Sequence, residues 1–133
     1  MKITFLGTGT SQGIPVIACK CKICNSDDLH DKRLRSSVFI EDNDSRFVID
    51  AGPDFRQQLL REHVTHLNAV IFTHEHKDHI AGLDDIRAFN YISKKPVDIY
   101  AEQRVQEALV REYSYVFAEK RYPGIPQMIL HNI

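Results

Sequence analysis

Ala69-Val70-Ile71-Phe72-Thr73-His74-Glu75-His76-Lys77-Asp78-His79 runs from an apolar segment straight into three of the chain's seven histidines and an aspartate. The first four residues read as a buried strand. A core strand does not end in adjacent desolvated polar groups unless those groups have partners, and a solvated loop has no cause to concentrate imidazoles. The competing reading is a histidine-rich surface loop that binds nothing, and His-x-His-x-Asp-His spacing directly after a strand speaks against it. If residues 74–78 continue extended, His74, His76 and Asp78 project to one side at period two, and His79 opens the next element within reach. His74 and His76 can then share one ion while Asp78 and His79 hold a second, the two-metal arrangement that activates water and steadies a leaving oxygen. Imidazole with carboxylate suits zinc, with manganese or iron as alternatives. Glu75 and Lys77 point away in this reading and act as spacers.

Upstream of the run, Met1 to Leu6 reads as a strand broken by Gly7-Thr8-Gly9. Residues 8–31 have no periodicity and need an anchor of their own. Residues 37–41 and 46–50 are two apolar runs separated by Asp42-Asn43-Asp44-Ser45, which predicts a β-hairpin. Gly52-Pro53 opens a helix carrying Phe55, Leu59 and Leu60. Downstream, the pattern gives a strand over 69–73, a helix from about Asp84 to Tyr91, a strand over 97–100, a helix over 102–111, an irregular aromatic stretch, and a last strand from Met128. A hairpin followed by strand–helix alternation predicts a mixed α/β sheet flanked by helices, in a single domain spanning 1–133.

Within the long loop, Cys19-Lys20-Cys21-Lys22-Ile23-Cys24 places three thiols in six residues. This spacing lets three thiolates converge on one ion, and a tetrahedral structural zinc needs one further ligand. Three unrelated reduced cysteines are the plain alternative. A redox motif fits less well, because no helix opens there after a strand.

The run His74-x-His76-x-Asp78-His79 resembles the signature of the metallo-β-lactamase superfamily, which implies that these four side chains bind a mono- or dinuclear metal centre. Phe47-Val48-Ile49-Asp50-Ala51-Gly52 is similar to that family's earlier strand ending in Asp-x-Gly, which implies that Asp50 supports the metal site from behind. Taken alone, Asp50 reads as an ordinary turn or helix-capping residue. The cysteine cluster, with Leu6-Gly7-Thr8-Gly9, Gln12-Gly13-Ile14-Pro15 and Arg33-Leu34-Arg35-Ser36-Ser37, resembles the branch of phosphodiesterases typified by the carbon–phosphorus lyase accessory protein, a phosphoribosyl cyclic phosphodiesterase. That branch implies a structural zinc on Cys19, Cys21 and Cys24, completed by a histidine from far downstream. The resemblance is specific from Met1 to about Leu83 and general beyond it. Pyrroloquinoline quinone biosynthesis B proteins share a similar cysteine loop but depart from the intact histidine signature. Transfer-RNA 3′-processing endonucleases share the opening strand and glycine loop, and glyoxalase II-type thioesterases share the histidine signature; neither pattern includes the cysteine loop. The implied reaction is attack of metal-activated water on a small or cyclic phosphate ester, with two zinc or manganese ions balancing the developing charge and Asp78 also able to orient the water.

A formal net charge of -1 gives no global field for nucleic acid. Lys32, Arg33 and Arg35 are the best candidate for a local basic patch, of the sort that is ordinarily a solvated face. No apolar run approaches the ~18–20 residues of a membrane helix. An odd count of three cysteines argues against a disulfide framework and for a reducing cytoplasm. Length raises a difficulty. Superfamily members are roughly twice as long, with a second αβ half that supplies the remaining ligands. After His79 the chain has a single histidine, His131, which comes early for the family's third ligand; His30, His63 and His66 match no ligand position. The expectation is therefore the N-terminal half of an αββα sandwich, with a half-encoded site and an exposed apolar sheet or helix face, so that the chain alone forms a homodimer, swaps elements or is poorly active.

Overall fold

In the computed structural model, which describes every residue from Met1 to Ile133, six strands pair in chain order. They are β1 (Lys2–Gly7), β2 (Ser37–Asp42), β3 (Ser45–Ile49), β4 (Ala69–Ile71), β5 (Val97–Ala101) and β6 (Met128–Asn132). The first three are antiparallel and the sheet is parallel from β3 onward. The connections explain the change. Asn43, at φ 51°, lets the β2–β3 turn close in two residues, whereas every later link carries helix and returns the chain to a parallel strand.

Helix α1 (Phe55–Arg61) joins β3 to β4. A short α2 (Lys77–Ile80), a 3-10 turn (Leu83–Ile86) and α3 (Arg87–Ser93) join β4 to β5, and α4 (Gln103–Glu112) with α5 (Ser114–Phe117) joins β5 to β6. Each parallel strand adds to the same edge, so right-handed crossovers put all these helices on one face. The cross-strand row Phe39, Val48, Val70 and Ile99 faces them and is buried. It joins Leu6, Phe55, Leu83, Ile86, Val105 and Leu109 in a core of 20 residues. The rows between point the other way. Ile3, Ile40, Phe47, Ala69, Asp98 and Ile129 form one, and Phe5, Val38, Ile49, Ile71, Tyr100 and His131 the next. Phe5 is 69% exposed and Ile129 46%. The molecule is one αβ layer with a bare apolar sheet face.

The loop over residues 8–31 is anchored through its backbone. Ile14 and Arg33 exchange two hydrogen bonds of 2.8 Å, and Gly9 N–H donates to the Leu34 carbonyl. The basic cluster is consumed in the same work. Lys32 donates to the Ser26 carbonyl, Arg33 to that of His30, and Arg35 to the Ser11 carbonyl while pairing with Asp54 at 2.9 Å. Three sequence expectations shift: the strand at 69–73 ends at Ile71, the helix expected from Asp84 opens as a 3-10 turn, and a one-turn helix stands at 114–117. No helix is long and apolar enough to cross a membrane.

Candidate metal centre

The histidine run leaves β4 at the end of the sheet where all four parallel strands finish, the usual place for a site in such sheets. It does not stay extended. His76 is the last extended residue (φ −66°, ψ 149°), and Lys77 begins α2, so Asp78 and His79 arrive on a helical turn rather than by strand alternation. The fold still brings the four side chains together. The His74 ring lies 4.6 Å from that of His76 and 4.0 Å from that of His79, centroid to centroid, and His79 Nε2 is 3.1 Å from Asp78 Oδ2.

Asp50 organises this group. It is buried directly beyond β3, with a left-handed backbone (φ 62°) that aspartate tolerates better than most residues. Its carboxylate accepts the Thr73 N–H at 2.9 Å, the Thr73 hydroxyl at 2.8 Å and His79 Nδ1 at 2.8 Å. Because the Thr73 hydroxyl spends its proton on Asp50, its oxygen accepts from His74 Nδ1, 2.9 Å away. One carboxylate therefore sets the tautomer of two histidines and leaves both Nε2 lone pairs free, as ligand imidazoles require. His79 Nε2 and Asp78 Oδ2 approach to 3.1 Å, close enough to share one positively charged partner, a proton or a metal ion. The donor set fits a divalent metal. Sequence reasoning missed Thr73 as the link between Asp50 and His74; its place next to the first histidine was the available signal.

Backbone packing holds the ligand turn on the Asp50 turn. Ala51 N–H donates to the His79 carbonyl and Gly82 N–H to the Ala51 carbonyl, both at 2.8 Å. A Cβ at Gly52 would fall 2.0 Å from the Asp78 carbonyl oxygen, and one at Gly82 would fall 2.0 Å from that of Gly52.

The spacer reading of Glu75 and Lys77 needs correction. Both leave the ligand cluster as expected, but Glu75 pairs with Arg104 of α4 at 3.2 Å and Lys77 pairs with Glu112 of the same helix. His131 faces away from the run's work, 2.7 Å from Asp98 and stacked on Tyr100. Asp28 caps the turn that carries His30, accepting its N–H and contacting its ring, His66 contacts Arg46, and His63 follows the end of α1.

Cys19, Cys21 and Cys24 are free thiols whose sulfurs lie within 4.8 Å of one another, the only trio of metal-ligating groups gathered that tightly. The Cys24 N–H, 3.4 Å from the Cys21 sulfur, and the neighbouring thiols pull Cys21 down to about 7, so much of it is thiolate near neutral pH.

A family model described as a beta-lactamase superfamily domain matches residues 45–132. An octanoyltransferase of Porphyromonas gingivalis is 44% identical over 134 residues, covering all of this chain and 27% of that protein. A crystal structure of a new diphosphatase from the PhnP family is 39% identical with a TM-score of 0.86, over 98% of this chain and 50% of that one. The zinc-bound PqqB of Methylobacterium extorquens, 22% identical, shares the fold at a TM-score of 0.75, over 98% of this chain and 49% of that one. Likeness therefore continues well past Leu83, through β5, α4 and β6, and the chain spans half or less of each of these three relatives.

Proposed function

The chain belongs to the metallo-β-lactamase superfamily, and on that premise we propose that it carries the metal-binding half of a hydrolase acting on small or cyclic phosphate esters. The observation that carries this reading is the Asp50 relay, which fixes His74 and His79 with Nε2 outward beside His76 and Asp78. His74 and His76 would hold one divalent ion and Asp78 and His79 another, zinc or manganese by the donor set. Such ions supply Lewis acidity and offset the charge that builds on phosphate oxygens.

The chain's own residues supply orientation. Asp50 and Thr73 lock the imidazoles, and Asp78 places a carboxylate where it can accept a proton from water. The bare net charge of -1 is no obstacle, because the ions carry the positive field. Likeness to the PhnP-family diphosphatase supports a phosphate substrate over the thioesterase reading. The sulfur trio would hold a separate structural zinc, and its free thiols fit a reducing cytoplasm.

The test is hydrolysis of bis-p-nitrophenyl phosphate by the metal-reconstituted chain, beside its metal content. Metal-dependent turnover that drops about a hundredfold in His76→Ala is expected. Turnover of p-nitrophenyl octanoate instead would move the reading to acyl esters. Zinc found at the cysteine loop alone, with no turnover, would overturn it and leave a non-catalytic metal-binding module.

A further inference from the structure

Resting on the proposed metal site, we infer that α4 braces the ligand run, with Glu75 and Lys77 as positioning residues that hold the run in register through Arg104 and Glu112. These two residues alternate with the ligands and reach α4. Glu75 Oε2 is shut off from water and makes no hydrogen bond, so the Arg104 guanidinium at 3.2 Å is what compensates its charge. The Lys77 ammonium sits on the Glu112 carboxylate, which also faces Arg111 at 3.7 Å. One residue further along α4's end, the Tyr113 hydroxyl donates to the Ile80 carbonyl at 2.7 Å. Burial pushes the Tyr113 hydroxyl up to about 12, so it stays a donor throughout the working range.

The three contacts meet α4 and its C-terminal cap at residues 104, 112 and 113, spanning roughly 13 Å along the axis. An isolated exposed ion pair adds little. Three contacts spread along one rigid helix do something different: they fix the position and the rotation of a short segment that has only one turn of helix of its own. Asp50 holds the imidazole rings from the sheet side, and α4 holds the backbone that carries them.

The charge of Lys77 makes the inference testable. Simple electrostatics says that removing a cation beside a cation site tightens metal binding. Bracing says that it weakens binding. Zinc is titrated into the full chain and followed by the imidazole proton resonances of His74, His76 and His79, which separate this site from the cysteine loop. Lys77→Met should bind zinc about fivefold more weakly at the run, and the charge swap Lys77→Glu with Glu112→Lys should recover most of that loss. Tyr113→Phe, which keeps the ring, should speed amide exchange over residues 77–82 in the metal-free chain. Unchanged or tighter zinc binding in Lys77→Met, with normal amide exchange in Tyr113→Phe, would overturn the brace while leaving the metal reading intact. Imidazole resonances that ignore zinc in the unmodified chain would overturn the metal reading and the brace with it.

Discussion

At the scale of single residues, Asp50 separates two roles that a carboxylate can have. Asn occupies the left-handed region as readily as Asp, so Asp50→Asn keeps the backbone turn and removes only the charged acceptor. The amide can still take one bond from Thr73 but cannot serve both Thr73 and His79 as the carboxylate does. We expect the variant to fold with zinc affinity at the run reduced about 10- to 100-fold, measured by calorimetric titration. Affinity within twofold of the parent would mean that Asp50 is a turn residue and nothing more. Gly52 tests the opposite case, backbone without charge. Gly52→Ala forces a methyl carbon against the Asp78 carbonyl oxygen, so thermal unfolding should show a loss of roughly 2–4 kcal/mol. Gly82→Ala strains a neighbouring contact, against the Gly52 carbonyl oxygen, and because both involve the Gly52 backbone the double variant should cost less than the sum. The ligand residues were legible in the sequence because metal chemistry restricts residue type and spacing together. Thr73 and the ion pairs of Glu75 and Lys77 with α4 were not, since contacts with residues 23 to 35 positions away leave no local pattern.

At the scale of elements, period-two and helical patterns placed the strands and main helices to within a few residues. The ends slipped where a cap or a carbonyl partner decided them. Strand β4 stops at Ile71 because Thr73 N–H turns to Asp50 instead of continuing the ladder. The long loop over residues 8–31 was legible only as a segment needing an anchor, and its backbone bridges to residues 33–35 provide one. A zinc on the sulfur trio would add a second, separate from the proposed ions at the histidine run. On that two-site reading, Cys21→Ser should remove one equivalent of zinc by elemental analysis while the imidazole resonances still respond to zinc. Loss of both would mean a single shared site. The β1–β2–β3 edge has its own ionic device. Lys2 at 2.9 Å and Arg46 at 3.4 Å hold the Glu41 carboxyl below the ordinary glutamate range. A depressed pKa contributes stability above the unfolded value, and that contribution is lost as pH falls through the folded one. Glu41→Gln should therefore lower the melting temperature slightly at neutral pH and leave it unchanged at pH values below the folded pKa. An equal shift at both ends of the series would assign the effect to packing instead.

At the scale of the whole molecule, strand order decides what composition could not. Sequential parallel strands with right-handed crossovers leave one face of the sheet without helices, so alternation that would otherwise give a polar surface instead gives rows of Ile3, Phe5, Ile40, Phe47, Ile71 and Ile129. Strands about 4.8 Å apart and about five residues long give this face a footprint of roughly 29 by 17 Å. Two such faces stacked would hide on the order of 1,000 Å², the lower bound for a specific interface. A second copy of this chain is the occupant we predict. It brings the same apolar rows, and sheets of this twist pack face to face about 10 Å apart. The polar pair Asp98–His131 lies under the outer strands, where an interface rim tolerates it. Sedimentation equilibrium should show a dimer at micromolar concentration. Phe5→Glu, which buries a charge in the centre of neither core but at the sheet interface, should weaken it at least ~30-fold without changing the helical circular dichroism. A parent chain that stays monomeric at that concentration, with Phe5→Glu indistinguishable from it, would exclude self-association as the way this face is covered.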